Sequence, residues 1–427
     1  MNEGTGGRRR GVFVDIAPLR DSETFRRLFG TSLPAQIGQQ AGTVVVAYEV
    51  YRITGSTLDV GAVSALQLLS IIVCSLTSGS LADRHDRRRI VQSGQLIALI
   101  GALALVAART ANSHLLWPYF VFPVLMSAGA SISGPASSGA VGGSVPKEQM
   151  HSAAALMQTT NQLAVVVGPA LGGLLIGASG VDAAMWFNVA MFALAVGSSL
   201  RLRELRPVGA ANVSRGLRSI VDGVRFAATS PALSGIFIAD SMAMVLGLPR
   251  AVFPALVVHS HLGSPSVLGL LYAAPGIGAI IGGFTSGWVG LIVRQGRAVL
   301  FAIAGWGAAI AIFGLVHNLP LDLLLLAVAG WSDVISSIFR GTILQINAPD
   351  ALRARVSSLN LVVVTGAPRL GDLEAGATAA AFGTTTSIFA GGVACILGAI
   401  VLGIASPVFR NYRSPHIRQA DAVPVPT

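Results

Sequence analysis

From residue 30 to residue 406 the chain alternates long apolar runs with short polar breaks. A helix that crosses a bilayer needs ~20 mostly apolar residues. With charges, prolines and polar clusters as stops, the pattern predicts twelve spans, near 30–52, 58–82, 90–110, 114–140, 152–178, 182–201, 231–257, 265–291, 298–316, 320–345, 356–380 and 384–406. The longest hydrophilic gap, about 202–230, divides them six and six. Within it, the apolar positions from Val213 to Phe226 recur at helical spacing and predict an amphipathic helix on the membrane surface. The expected organisation is a tail (1–29), a six-helix bundle (30–201), a central loop (202–230), a second six-helix bundle (231–406) and a second tail (407–427).

Composition agrees with this pattern. Charged residues are 11% of the chain and apolar residues 53%, too little charge to cover the surface of a soluble fold of this size. The net charge of +10 could suggest nucleic acid, but the basic residues flank apolar runs instead of forming a groove interleaved with aromatics. No nucleic-acid partner is expected; the partners are a lipid bilayer and a small molecule, and the protein is expected to be a monomer. Lys and Arg favour cytoplasmic loops. Of the 29 basic residues all but Arg52, Arg109, Arg250, Arg340 and Arg369 fall on the side of both tails, which places both termini in the cytoplasm. Cys74 and Cys395 both lie inside apolar runs, so neither a disulfide nor a metal framework is expected. The N-terminal residues hold no short apolar core with a cleavage site, and no removable signal peptide is expected. His259, His261 and His317 are expected in loops, without metal-ligand spacing. Phosphate-binding loops and nucleophile elbows are absent, so neither an enzyme nor an ATP-driven pump is expected, and no cofactor.

A charge at the bilayer centre costs roughly 2.5–3.5 kcal/mol on the lenient insertion scale, so each one needs a reason. The acids within spans are Glu49, Asp240, Asp333, Asp372 and Glu374; the bases are Arg250, Arg340 and Arg369. Asp333, Ser336, Ser337 and Arg340 share one helical face, as do Gln36, Gln40 and Thr43 on the first span. In lipid such stripes must face protein or an aqueous path. Arg250 and Arg340 would attract acidic or phenolic oxygens of a cargo. Arg369 and Asp372, three apart, are positioned for a local pair, leaving Glu374 without an evident partner. Glu374, or the Asp372/Glu374 pair, is then a proton-coupling candidate, with Asp240 a further one; a charge network fastening this span to its neighbours is the alternative. Glu49 lies near a span end and is either a cavity residue or an interfacial one.

Between the second and third spans runs Gly79-Ser-Leu-Ala-Asp83-Arg84-His-Asp86-Arg87-Arg88-Arg89. This resembles the signature loop of the major facilitator superfamily, apart from Asp86 where that pattern usually has glycine. The resemblance implies two six-helix pseudo-repeats of an all-α membrane fold. Spans one, four, seven and ten would line a cavity, and Gly79, Asp83, Arg84, Arg87 and Arg88 would form a gate toward the other half. Gly168-Pro169-Ala170-Leu171-Gly172-Gly173 is similar to a motif of antiporters in that superfamily, which favours export; ordinary small-residue packing is the alternative. A shift of 203 residues lays Pro146–Leu156 on Pro349–Leu359 and Gly168–Gly173 on Gly371–Gly376, as parallel repeats require. Arg250-Ala-Val-Phe-Pro254, Tyr272-Ala-Ala-Pro275-Gly276, Gly330-Trp331 and Leu344-Gln345 are similar to the enterobactin-exporter-like group of bacterial efflux proteins. That likeness implies export of a siderophore or an amphiphilic drug from the inner membrane, driven by the proton-motive force; a non-transporting sensor or assembly partner is a further alternative. Asp83→Arg is expected to abolish efflux while leaving insertion intact. Efflux assays beside the amount of protein in the membrane fraction test this, and full efflux by the variant counts against the gate.

Overall fold

The computed structural model describes residues 15–111, 115–202, 217–259 and 264–413; the side chains of 76–77, 79–84, 217–222, 259, 350–351 and 354 lie outside that description. Among the described residues there is no strand. A short α1 (Ala17–Asp21) leads into α2 (Glu23–Thr54), α3 (Thr57–Arg84), α4 (Arg87–Ala111) and α5 (Trp117–Ser144), followed by α6 (Met150–Leu200). The second half holds α7 (Leu217–Thr229), α8 (Pro231–Leu246), α9 (Phe253–His259), α10 (Pro265–Thr285), α11 (Gln295–Leu315), α12 (Leu319–Asn347), α13 (Asp350–Phe382), α14 (Thr384–Ala405) and α15 (Pro407–Arg410). Helix starts are written in the sequence. Ser22 Oγ accepts from Phe25 N at 3.1 Å, and Asn318 Oδ1 accepts from Leu321 N at 3.3 Å, each satisfying an N–H that the helix leaves open.

Nine of the described helical segments are long and apolar enough to cross a membrane. One is α6, whose 51 residues would extend ~75 Å if straight, far beyond a hydrocarbon core of ~30 Å. Gly180 breaks it, at φ 84° and ψ 172°. The chain then doubles back, because α2 touches both arms: a methyl on Gly168 would lie 2.6 Å from Gln40 Cβ, and Asn188 Nδ2 donates to Gly38 O at 2.7 Å. Counting the two arms of α6 separately and adding α2 and α13, which carry more polar residues, accounts for all the expected spans. Gly383, at φ 88° and ψ 159°, makes the matching break between α13 and α14. It stands 203 residues after Gly180, the offset that aligns the two halves.

The tails enter at one end of the bundle, here the tail end, where Ser22 Oγ donates to Ser144 O at 2.6 Å and Asn347 Nδ2 to Tyr412 Oη at 2.7 Å. The opposite, far end carries Gly55, Gly180 and Gly383. Apolar packing differs between the ends. A single buried cluster at the far end runs through both halves, from Val44, Phe122 and Phe192 to Phe253, Leu271 and Phe313. At the tail end the clusters are separate: one holds Leu28, Ile90 and Leu202 of the first half, another Leu233, Phe339 and Phe409 of the second. Among the described residues the buried apolar core is shared by the halves at the far end and separate at the tail end. Outside, Phe284, Phe301 and Ile404 are 86%, 75% and 69% exposed, which water would not tolerate in such number and lipid does. The predicted amphipathic helix is α7, packed on the start of α13, where a methyl on Gly223 would lie 2.8 Å from Arg355 O.

Alanine at Gly180 or Gly383 has space but the wrong backbone sign, so each change is expected to destabilise the fold by about 1–2 kcal/mol. Gly197→Ala, in an exposed and open helical position, is expected to stabilise by about 0.5–1 kcal/mol. Thermal unfolding midpoints of the three purified variants check the signs.

Candidate transport pathway

Two crossings join the halves at the far end, and both rest on missing side chains. Where α3 meets α13, a methyl on Gly61 would lie 2.7 Å from Asp372 O, and one on Gly376 would lie 2.5 Å from Thr57 O. Where α6 meets α10, methyls on Gly173 and Gly177 would overlap Gly269 and Ser266. Hydrogen bonds lock the first crossing: Thr57 Oγ1 donates to Gly376 O at 2.9 Å, and Ser64 Oγ to Asp372 Oδ2 at 3.0 Å. The antiporter-like motif thus has two packing faces. Gly168 and Gly172 seat α2, Gly173 seats α10, and a methyl on Gly269 would meet Pro169 O at 2.5 Å.

Asp372 is held from a second side by Arg250, with Nε 3.3 Å from Oδ1 and Nη2 3.1 Å from Oδ2. The seventh expected span makes this possible by breaking between α8 and α9. The carbonyls freed there are taken by Trp306 Nε1, donating to Gly247 O at 2.9 Å, and Tyr272 Oη, donating to Arg250 O at 2.9 Å. The expected Arg369–Asp372 pair does not form. Arg369 turns to its own helix, donating Nη1 to Thr365 O at 2.6 Å, because the bidentate fork of Arg250 already occupies the carboxylate. Glu374 makes no side-chain hydrogen bond or ion pair among the described residues, as the sequence suggests.

Arg340 pairs with Asp240 of α8 and, at 3.4 Å, with Asp333 of its own helix. Ser336 is buried, while Ser337 is exposed. Asp333 and Ser337 each stand nine residues, half a turn, from the exposed Leu324 and Val328. Their face is therefore turned away from lipid, toward the centre.

Glu49 does not line a cavity. Its fully buried carboxylate lies 2.8 Å from Arg52 Nε and 2.6 Å from Arg109 Nη1, while Arg109 Nε reaches Asp182 at 3.2 Å. The cluster ties α2, α4 and the turn of α6 together within the first half. Gln40 rests its stem on Gly168 and is half-buried, while Gln36 and Gln39 of the same helix face a cavity. At the tail end of the first half these two help line a cavity of about 580 Å³, with Gln95, Ser133, Gln158 and Asn161. A search for ionisable residues passes over these amides because they are neutral. Their legible signal is a run of amides inside otherwise apolar spans.

The gate residues divide. The side chains of Gly79, Asp83 and Arg84 lie outside the described residues. Arg87 Nη1 donates to Gly139 O at 2.7 Å and Arg88 Nη2 to Leu200 O at 3.4 Å. Both contacts stay within the first half, where they satisfy carbonyls toward the tail ends of α5 and α6, instead of reaching across.

Removing Glu49 leaves Arg109, 16% exposed, without its buried partner, while Arg52, 46% exposed, keeps its contact with the outside. Glu49→Ala is expected to cost about 3–5 kcal/mol of stability. Asp182→Ala, at a carboxylate 72% exposed, is expected to cost less than about 1 kcal/mol. Unfolding midpoints in detergent compare the two.

The transmembrane secretion effector family matches residues 14–422. Over 407 residues the chain is 26% identical to the enterobactin exporter EntS of Citrobacter koseri, covering 95% of this chain and 97% of the relative. The enterobactin exporter of Escherichia coli O1:K1 is 26% identical over 411 residues, with coverage of 96% and 98%. Among solved structures, a bacterial homologue of the lysosomal transporter Spinster, in an inward-facing and unoccupied conformation, superposes with a TM-score of 0.73 at 17% identity, covering 92% of this chain and all of that one. A peptide transporter, POT, bound to sulfate gives 0.70 at 14% identity over 91% and 95% of the two chains. These likenesses establish the fold, and the sequence match establishes the kinship. The chain belongs to the transmembrane secretion effector family, multi-pass membrane proteins with the major facilitator fold.

Proposed function

We propose that this protein is a secondary exporter that moves a siderophore or another amphiphilic small molecule out of the cell by alternating access, with protons returning inward. The observation that carries this reading is the division of the core, shared at the far end and split at the tail end. With the tail end in the cytoplasm, as the basic residues favour, the cavity at the tail end of the first half faces the cell interior and is ready to load. Relatives named as enterobactin exporters, matched over nearly their whole length, support a siderophore as cargo.

Asp372 and Glu374 suit different parts of proton coupling. Asp372 ties the second half to Ser64 of the first, so protonating it would loosen a bond across the far-end crossing. Glu374 lies two residues away and makes no side-chain bond among the described residues, which leaves it open to exchange a proton. Asp240, sharing Arg340 with Asp333, is a third candidate. The energy source is the proton gradient, and no bound cofactor takes part. A multidrug antiporter is the second reading, favoured by Met126, Met150, Met157 and Phe192 on the cavity wall, since flexible thioethers adapt to varied apolar shapes.

Purified protein in sealed vesicles with an imposed pH gradient is expected to move enterobactin, or under the second reading a cationic dye, against its concentration. Glu374→Gln is expected to lose gradient-driven transport while keeping downhill exchange. Undiminished proton coupling in that variant removes Glu374 from the mechanism, and no movement of either cargo by the unaltered chain overturns the export reading.

A further inference from the structure

Five amides face the tail-end cavity: Gln36, Gln39, Gln95, Gln158 and Asn161. None makes a side-chain hydrogen bond to the protein among the described residues. That is costly for Gln95, which is only 9% exposed, and for Gln36, whose Oε1 is buried without a partner. Buried polar groups are otherwise paired in proteins, so Gln95 and Gln36, unpaired on a concave wall that Gln39 and the exposed Gln158 and Asn161 continue, are held ready for something else.

Among the described residues the wall carries no ionisable side chain. The two arginines that seemed suited to an acidic cargo are engaged elsewhere, Arg250 by Asp372 and Arg340 by Asp240 and Asp333. A carboxylate bound here would have no cation, and an ammonium no anion, to offset its lost hydration. An amide both donates and accepts, so it matches groups that do the same: hydroxyls, phenols and other amides. Met126, Met157 and Phe192 on the same wall supply apolar contact. The volume of about 580 Å³ is that of a site for a drug-sized molecule.

We propose that this cavity is a cradle for an uncharged amphiphile whose hydroxyl, phenol or amide groups exchange hydrogen bonds with Gln36, Gln95 and Gln158. It rests on the export reading, because it names the cargo class of that same pathway. Recognition then belongs to the neutral first half, and the ionisable groups of the second half are left for other work.

The test uses the full chain purified in detergent and three dansyl-tagged probes on one alkyl scaffold, ending in a dihydroxybenzamide, a carboxylate or a trimethylammonium. Fluorescence anisotropy reads the Kd. The benzamide is expected to bind about tenfold or more tighter than either charged probe. Gln95→Leu and Gln158→Leu are each expected to weaken it by about fivefold to tenfold, at one lost hydrogen bond apiece. Gln149→Leu, an amide outside the cavity, is expected to leave the Kd unchanged. Unfolding midpoints accompany every variant, and Gln158 is exposed, so leucine there keeps the fold. Equal or tighter binding of a charged probe, no saturable binding of the benzamide, or an unaltered Kd in both leucine variants overturns the cradle. A chain that binds the benzamide as expected but moves nothing in sealed vesicles overturns export and leaves the cradle standing.

Discussion

Backbone against backbone, with no side chain between, is the contact on which the architecture turns. At Gly61 and Gly376 on one side, and at Gly173 and Gly269 on the other, helices of opposite halves approach as closely as main chains allow. Only at such separations can Thr57 reach the carbonyl of Gly376 and Ser64 reach Asp372. In a bilayer, where apolar surface gains nothing by leaving lipid for protein, close packing and hydrogen bonds have to supply the association that water would otherwise drive. The crossings supply both, and they stand at one end of the molecule. The cavity lies at the other end, within the first half.

Charge is handled in three ways. In the first half it is sealed: Glu49 sits fully buried between Arg52 and Arg109 and fastens helices of a single bundle. In the second half it is shared, with Arg340 serving two aspartates of different exposure. At the far-end crossing it bridges, since Asp372 takes a guanidinium from its own half and a hydroxyl from the other. Helix α2 shows how separate these uses are, with a sealed carboxylate near one end and cavity-facing amides toward the other.

Much of this is legible before any coordinates. Apolar runs of membrane length reveal the spans, and the break near Gly180 shows as a short interruption between two of them. The 203-residue offset seen in Pro146 and Pro349 holds also for Gly180 and Gly383, two of the three positive-φ glycines among the described residues. The pairing of side chains is less legible. Arg369 and Asp372 are neighbours on one helix, yet the carboxylate goes to Arg250, which comes from a span broken at Gly247 and Pro249, and that break does not show in sequence which carboxylate it serves. Gln36 and Gln40 share a helical face, yet the stem of Gln40 rests on Gly168 of a neighbouring helix while Gln36 reaches the cavity wall. Of the cavity's amides Gln36 shows in the sequence through that stripe; the neutral groups on α4 and α6 carry their information only once the wall they share is visible.

The apolar cluster common to both halves has a thermal consequence. Hydrophobic contact has no fixed register and weakens on cooling, whereas the hydrogen bonds of Thr57 and Ser64 do not share that dependence. If the far end parts during a cycle, it wets that cluster and carries a positive heat-capacity change, as unfolding does on a larger scale. The balance between closed and open forms is then curved in temperature, with cold favouring the form whose far end has come apart.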